Sequence, residues 1–233
     1  MYDPRQRLIV ALDVPSAAAA QKIVAAVGDS ASCYKVGMQL YTAEGPQVVR
    51  DLVASGRRVF LDLKYHDIPN TVAAAVREAA GLGVSMLTVH ASGGGKMMRA
   101  ATDAARELNA ALMVLAVTVL TSLSDNDLDK LGVHGRVKDQ VLRLAALAVA
   151  NGCQGVVASA QEASELRSEL DGDFAIVTPG IRLLGTDPAD QARVVTPAEA
   201  IAAGATHIVV GRPITGSADP AREARAILGQ ISF

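Results

Sequence analysis

The stretch Phe60–Thr71 reads Phe-Leu-Asp-Leu-Lys-Tyr-His-Asp-Ile-Pro-Asn-Thr and predicts a strand that turns directly into a helix. Successive side chains of a strand point to opposite faces, so Asp62 and Lys64 lie together on the face opposite Leu61. Pro69 suits the first turn of a helix, because its φ is already helical and its missing N–H would have no partner there. The stretch therefore places charged side chains at the C-terminal end of one strand.

Asp67 follows just beyond this strand, so two carboxylates and one ammonium group gather at the strand end. Two interpretations of Asp62, Lys64 and Asp67 are open: a simple ion pair that closes the strand, or a catalytic array of charges. Most Asp and Lys neighbours in proteins are simple ion pairs. The choice depends on what the other strands bring to the same place.

Apolar strand-like runs alternate with Ala-rich helical segments along the 233 residues. The predicted strands are Leu8–Asp13, Cys33–Gly37, Arg58–Lys64, Ser85–His90, Ala111–Leu120, Gly155–Ala158, Phe174–Thr178 and His207–Val210. The predicted helices are Ser16–Val27 (with Ser16 as the cap), Tyr41–Ser55, Pro69–Gly81, Lys96–Leu108, Val137–Asn151, Gln161–Leu170 and Pro220–Gly229.

Continuous runs of Val, Ile and Leu are typical of strands that are covered on both faces and therefore pair in parallel. Eight such units in a chain of this length predict an α/β fold, a (β/α)8 TIM barrel in one domain over residues 1–233. A doubly wound open sheet is the alternative, although it normally uses fewer units.

The composition argues against several classes of partner. The net charge is −2 and the chain has three Phe, four Tyr and no Trp, so it lacks the basic and aromatic surfaces that bind nucleic acid. No apolar run approaches the roughly 18 residues that span a membrane. The first residues show no signal-peptide pattern, and Cys33 and Cys153 form no CxxC pair, so we expect a cytoplasmic protein with reduced thiols.

A barrel carries its chemistry at the C-terminal ends of the strands, and polar residues recur at those positions. They are Asp13, Lys35, Asp62, Lys64, His90, Thr121, Gly180, Arg182, Gly211 and Arg212. His90 fits a hydrogen-bonded core histidine as well as a substrate contact, and His207 begins a strand, where a structural role is expected. The four histidines show no ligand spacing, so we expect no metal site.

The last two strands lead into Thr178-Pro179-Gly180-Ile181-Arg182 and Val210-Gly211-Arg212-Pro213. Barrels commonly bind phosphate at this position, where a glycine admits the anion and a guanidinium donates two hydrogen bonds. A glycine turn with a surface arginine is the alternative. The polar loop between Arg182 and Val194 could close over a bound phosphate as a lid. Ser92–Lys96 resembles a P-loop, but Met97 follows the lysine, so a Walker motif is rejected.

These motifs, together with Lys35-Val36-Gly37 and the long Asp62–Thr71 motif, resemble the bacterial type of orotidine 5'-monophosphate decarboxylase. The resemblance covers essentially the whole chain. It implies that Lys64 donates the proton to C6 of the pyrimidine. It also implies that Lys35, Asp62 and Asp67 form, together with Lys64, a catalytic set of alternating charges. It also implies a homodimer in which Asp67 and Thr71 enter the partner's active site.

The resemblance further implies a set of substrate-binding residues for orotidine 5'-monophosphate. These are Asp13, Lys35, Asp62, Thr71, Thr121, Pro179, Arg182, Gln191, Gly211 and Arg212. It implies catalysis without a cofactor. Two other functions remain open: a Mg²⁺-dependent decarboxylase or aldolase of sugar phosphates from the same barrel superfamily, and a barrel that binds nucleotides without catalysis.

Overall fold

A computed structural model describes residues 4–181 and 195–231 and contains eight parallel strands. They are β1 (Leu8–Ala11), β2 (Cys33–Gly37), β3 (Arg58–Tyr65), β4 (Met86–His90), β5 (Met113–Val117), β6 (Gly155–Val157), β7 (Ala175–Thr178) and β8 (His207–Val210). Each strand pairs with the next, and β8 pairs with β1, so the sheet closes into a barrel in sequence order. The predicted (β/α)8 barrel is confirmed, and the open sheet is wrong.

Helices follow the strands and cover the outside of the barrel. Within the described residues they are α1 (Pro4–Arg7), α2 (Ala17–Val27), α3 (Met38–Glu44), α4 (Gln47–Ala54), α5 (Pro69–Gly81), α6 (Gly94–Leu108), α7 (Asp125–Lys130), α8 (Val137–Ala150), α9 (Ala160–Glu169), α10 (Pro197–Ala202), α11 (Arg212–Thr215) and α12 (Pro220–Ile231). None of these is long and apolar enough to cross a membrane.

The helix predicted over Tyr41–Ser55 is wrong as a single element. Gly45 adopts a φ of 67° and its N–H bonds to the Tyr41 carbonyl at 2.8 Å, which ends α3 in the left-handed conformation that glycine allows. Pro46 then caps the start of α4. The prediction overlooked that a Gly-Pro pair interrupts a helix even where the apolar periodicity continues.

Other boundaries also differ from the prediction. β1 ends at Ala11 and β5 ends at Val117, so the predicted strands Leu8–Asp13 and Ala111–Leu120 are too long at their ends. Leu12 and the exposed Asp13 follow β1, and Thr118 follows β5; Leu12 and Thr118 still donate one backbone hydrogen bond each to the neighbouring strand. The predicted cap is confirmed, because the Ser16 side chain accepts a hydrogen bond from the Ala19 N–H at 3.2 Å. Pro69 begins α5 as predicted.

Two apolar layers hold the barrel. The inner layer fills the lumen with alternate strand residues, namely Ile9, Ala11, Cys33, Phe60, Met86, Leu115, Ala175, Val177 and Val209. The outer layer joins the opposite faces of the strands to the helices. Because the lumen is packed with side chains below, a ligand has access only from an end of the barrel.

β3 departs from regular pairing just where its polar residues begin. Leu61 pairs with Leu87, but the next pair joins Tyr65 to Val89, so three residues of β3 lie opposite one residue of β4. Lys64 adopts a φ of 52°, and it is the one non-glycine residue with positive φ in the described ranges. The regular extended run predicted over Arg58–Lys64 is therefore interrupted by a bulge, which bends a strand and redirects side chains.

Candidate active site

Four charged side chains meet at the C-terminal mouth of the barrel. Lys35 Nζ lies 2.8 Å from Asp13 Oδ1 and 3.7 Å from Asp62 Oδ2. Lys64 Nζ lies 2.9 Å from Asp62 Oδ1. The order Asp13, Lys35, Asp62, Lys64 alternates in sign, and we call these four residues the charged array.

The charged array runs from the surface into the barrel. The side chain of Asp13 is 58% exposed, whereas those of Lys35 and Asp62 are 11% and 14% exposed. Charges at such depth are costly unless each is paired, and the alternation gives both inner residues an opposite charge on either side. Strand β2, the bulge of β3 and the segment directly after β1 supply these residues, so the barrel fixes their spacing.

Two adjoining cavities open beside the charged array. The first has a volume of about 180 Å³ and combines Lys35, Asp62 and Lys64 with an apolar wall. That wall and its rim consist of Phe60, Val117, Val119, Leu120, Thr121, Val157, Pro179 and Val209. An apolar cavity with a few convergent charges suits a flat organic ring that carries polar substituents.

The second cavity, of about 270 Å³, shares Lys35, Asp62, Pro179 and Val209 with the first. Its other lining residues are Ala11, Asp13, Gly180, Gly211 and Arg212. Gly211 stands directly before α11, and an added Cβ there would make ordinary contact with Ala11 at 3.6 Å. The predicted phosphate loops of β7 and β8 therefore border the same mouth as the charged array.

Within the described residues, Asp67 and Thr71 form no hydrogen bond or ion pair with the charged array of their own chain. Asp67 is exposed and accepts a hydrogen bond from the Ile68 N–H at 2.6 Å. Thr71 is exposed on the first turn of α5, and Ile68 between them is 67% exposed. Arg182 and Gln191, and with them the predicted lid, lie outside the described residues.

The histidines fall in two places. His90 lies near the mouth, where its Nδ1 is 2.7 Å from Ser92 Oγ and its ring stacks on His66 at 5.3 Å between centroids. Burial, followed by His66 and Lys64, lowers the pKa of His90. His207 lies at the opposite end of the barrel, where burial is the main cause that lowers its pKa to about 4, with Arg58 and Arg7 adding to it. The described residues hold no group of three or more His, Cys, Asp or Glu side chains placed to bind a metal ion.

The cysteines are buried as packing residues. Cys33 belongs to the inner apolar layer, two residues before Lys35 on the same strand, so the two side chains lie on the same face of β2. Burial raises the pKa of the Cys33 thiol to about 12, and likewise that of Cys153. Neither thiol is a nucleophile at neutral pH under those conditions.

Sequence reasoning missed Thr88 and most of the apolar wall. Thr88 is buried on β4 and bonds both to Asp62 and to the backbone of Lys64. Alternation along β4 could have placed Thr88 on the inner face, because Met86 two residues earlier is an inner-layer residue. Its contacts depend on the bulge in β3, which no pattern in the sequence predicted.

The C-terminal mouth of this closed parallel barrel carries paired charges and loops of the kind that bind anions. These features define the class of (β/α)8-barrel enzymes with a site for a small anionic substrate. Residues 6–227 match the model of the family described as orotidine 5'-phosphate decarboxylase / HUMPS family. The chain belongs to this family.

Individual relatives agree over nearly the full length. The chain is 48% identical to an orotidine 5'-phosphate decarboxylase of Hydrogenovibrio crunogenus, over 98% of this chain and 95% of that protein. It is 49% identical to an orotidine 5'-phosphate decarboxylase of Moorella thermoacetica, over 98% of this chain and 93% of that protein. A crystal structure of orotidine 5'-phosphate decarboxylase from Lactobacillus acidophilus superposes with a TM-score of 0.87 at 39% identity, covering 98% of this chain and 100% of that one.

Proposed function

We propose that this chain is a carboxy-lyase that converts orotidine 5'-monophosphate to uridine 5'-monophosphate in pyrimidine biosynthesis. The observation that carries the proposal is the charged array beside an apolar cavity at the barrel mouth. Family membership and the named relatives support it.

The chemistry of the reaction explains what the charged array is for. Loss of CO₂ breaks the bond between C6 and the carboxyl carbon, and the electron pair stays on C6 in the plane of the ring. The ring π system delocalises that pair poorly, so stabilisation has to come from nearby positive charge. Lys64 supplies the charge and then donates a proton to C6, which leaves a neutral amine that regains its proton from water.

The array fixes Lys64 in that role. Asp62 Oδ1 bonds the ammonium group at 2.9 Å, while Lys35 holds the other oxygen of Asp62. Two unit charges about 4 Å apart interact by roughly 4 kcal/mol at an effective dielectric constant near 20. Because enzymes lower barriers by about 8–23 kcal/mol, a single ammonium group is insufficient. Binding energy from the rest of the substrate has to hold the charges in place.

The other site residues divide along the substrate. Asp13 and Lys35 contact the ribose, and Thr121 borders the pyrimidine at the apolar cavity. Pro179, Gly211 and Arg212 line the second cavity and take the phosphate end. Arg182 and Gln191 are proposed as further phosphate contacts from the family resemblance alone. The reaction uses no cofactor.

A direct assay tests the proposal. Purified protein mixed with orotidine 5'-monophosphate should lower the substrate's ultraviolet absorbance, and the activity should survive exhaustive treatment with EDTA. A strict Mg²⁺ requirement, or turnover of a sugar phosphate instead, would favour the metal-dependent relatives. Tight binding of the nucleotide without turnover would make the chain a nucleotide-binding barrel.

We also propose that the enzyme is a cytoplasmic homodimer with shared active sites. Asp67 is exposed beyond the end of β3 and Thr71 is exposed at the start of α5, so both side chains are available to a neighbour. In a twofold dimer the same patch of each subunit faces the other, so Asp67 of each chain enters the partner's mouth. Ile68, an apolar residue that is 67% exposed, supplies contact area between the subunits.

Mixed dimers test the shared site. The homodimers of Lys64→Ala and of Asp67→Ala should each be almost inactive. After random 1:1 reassociation half of the dimers are mixed, and each contains one complete site of two, so roughly a quarter of all sites recover. If Asp67 served its own barrel, every site would still lack one charge, and mixing would restore nothing once subunit exchange is confirmed.

A further inference from the structure

Thr88 forms hydrogen bonds with two neighbouring members of the charged array. Its side chain is buried on β4, and its Oγ1 donates a hydrogen bond to Asp62 Oδ1 at 3.0 Å. The same oxygen accepts a hydrogen bond from the backbone N–H of Lys64 at 2.9 Å. One hydroxyl therefore contacts both the carboxylate that pairs with Lys64 and the backbone that carries Lys64.

The backbone contact replaces a bond that the sheet cannot make. Between the pairs Leu61–Leu87 and Tyr65–Val89, the bulge of β3 interrupts the ladder with β4. The N–H of Lys64 lies within this interruption, and a buried N–H without a partner costs about 1–3 kcal/mol. The hydroxyl of Thr88 serves as that partner, at a residue whose φ of 52° is already unfavourable for a side chain.

We propose that Thr88 is a positioning residue, whose single hydroxyl sets the Lys64 ammonium group for charge stabilisation and proton donation by fixing both Asp62 and the Lys64 backbone. The proposal rests on the proposed decarboxylase function. Thr88 lines neither cavity of the mouth, so it acts through Asp62 and Lys64 rather than on the substrate.

The chemistry of a hydroxyl makes the role specific. A hydroxyl has one donor and two acceptor lone pairs, which are the two functions used here. Valine has nearly the same shape and neither function, whereas serine keeps both. A misplacement of about 1 Å at a reacting group costs on the order of 10²-fold in rate.

The test compares Thr88→Val with Thr88→Ser. We expect Thr88→Val to lower kcat by about 100-fold with KM within about threefold, and Thr88→Ser to stay within about threefold of wild type. The matched control is Thr102→Val on α6, where a buried hydroxyl bonds the carbonyls of Arg99 and Asn151. It should lower the melting temperature and leave kcat unchanged.

A second measurement needs no substrate. The amide proton of Lys64 should exchange with solvent at least tenfold faster in Thr88→Val than in wild type or Thr88→Ser. If Thr88→Val does not fold, Thr88→Cys takes its place, because a thiol fills the space and hydrogen-bonds weakly.

The outcomes separate the two proposals. Wild-type kcat in folded Thr88→Val, or unchanged exchange of the Lys64 amide, would overturn the role of Thr88. If wild type does not turn over orotidine 5'-monophosphate, the proposed function fails, and exchange alone decides whether Thr88 holds this backbone.

Discussion

Both ends of the barrel carry polar side chains around a cavity, but these side chains have different hydrogen-bond partners at the two ends. At the mouth, the members of the charged array bond one another. At the opposite end a cavity of about 220 Å³ is lined by Gln6, Arg58, Met113, Gln154, Asp173, Ala175, Thr206 and His207. There Gln154 accepts from the Val114 N–H at 2.8 Å, and Thr206 bonds both the N–H and the carbonyl of Ile176.

The difference shows what each end is for. Side chains that bond the strand backbone complete the sheet where its ladder ends, so they contribute to folding. Side chains of opposite charge that pair with one another stay ionised although they are partly buried. Their charges then face the cavity, where a ligand can bind. The pattern of partners, more than the number of polar residues, therefore distinguishes the proposed catalytic end of this barrel.

Removing one cation from each end should give the largest contrast. We expect Lys64→Ala to lower kcat by about 10⁵-fold, because about 4 kcal/mol of charge stabilisation and a proton donor worth at least about 10²-fold are both lost. Arg58→Met removes a guanidinium that bonds Gln6 at the other end at 2.9 Å. Its kcat should stay within about twofold. A comparable loss in both variants would refute the division between the ends.

The opposite end should instead control stability against acid. The folded-state pKa of His207 is about 4, below the unfolded value of about 6.5, so the unfolded chain binds more protons between these values. Stability therefore falls as pH falls through this window, and His207 alone should remove about 2 kcal/mol of unfolding free energy between pH 7 and pH 5.

Urea unfolding at several pH values measures this contribution. His207→Gln should lose less stability than wild type as pH falls from 7 to 5, because glutamine does not titrate. Gly81→Ala, at the exposed end of α5, changes no titratable group and offers the control, so its curve should run parallel to that of wild type. Parallel curves for wild type and His207→Gln would show that His207 is not the acid-sensitive group.

The fold could be predicted further than the site. Repeated apolar runs indicated all eight strands, and Ser16 and Pro69 marked two helix starts correctly, because caps and burial are local properties of the sequence. The interruption at Gly45 was missed, and so were the short helices α1, α7, α10 and α11. Helices of four to six residues are too short to show the apolar periodicity on which the prediction depended.

The site was predictable where alternation decides which face a residue occupies. Lys35, Asp62 and Lys64 converge as expected, since their strands are neighbours in the closed barrel. The bulge that brings Thr88 onto Asp62 was not predictable, because it depends on the register between two strands that are distant in sequence. The roles of Asp67 and Thr71 depend on a second chain and stay predictions.

A methyl group at Gly37 should disturb the mouth without touching the other end. A Cβ at this position would lie 3.0 Å from Lys35 Nζ and 3.1 Å from Asp13 Oδ1, so the ion pair would have to shift. We expect Gly37→Ala to lower kcat/KM by about tenfold, since even a displacement of about 1 Å matters at a reacting site.

The control is Gly81→Ala, at the exposed end of α5, where the new Cβ meets no atom within 4 Å. It should keep full activity and gain up to about 1 kcal/mol of stability, because alanine favours the helix. Unchanged kcat/KM in Gly37→Ala would show that the Asp13–Lys35 distance is not critical.

The smallest effect separates the backbone of Lys64 from its charge. Lys64→Ala and Lys64→Gly both remove the ammonium group, so both should be inactive, but only glycine adopts the φ of 52° without strain. We expect Lys64→Gly to be more stable than Lys64→Ala by about 1 kcal/mol, measured by urea unfolding. The same pair at Lys22, which is exposed in the middle of α2, should give the opposite order, because glycine weakens a helix interior. If Lys64→Ala is as stable as Lys64→Gly or more stable, the positive φ at this position does not lower the stability of the fold. If glycine is the more stable, the mouth holds its proposed proton donor on a backbone that folding alone would not favour, whereas the described residues at the opposite end of the barrel bond their polar groups without such strain.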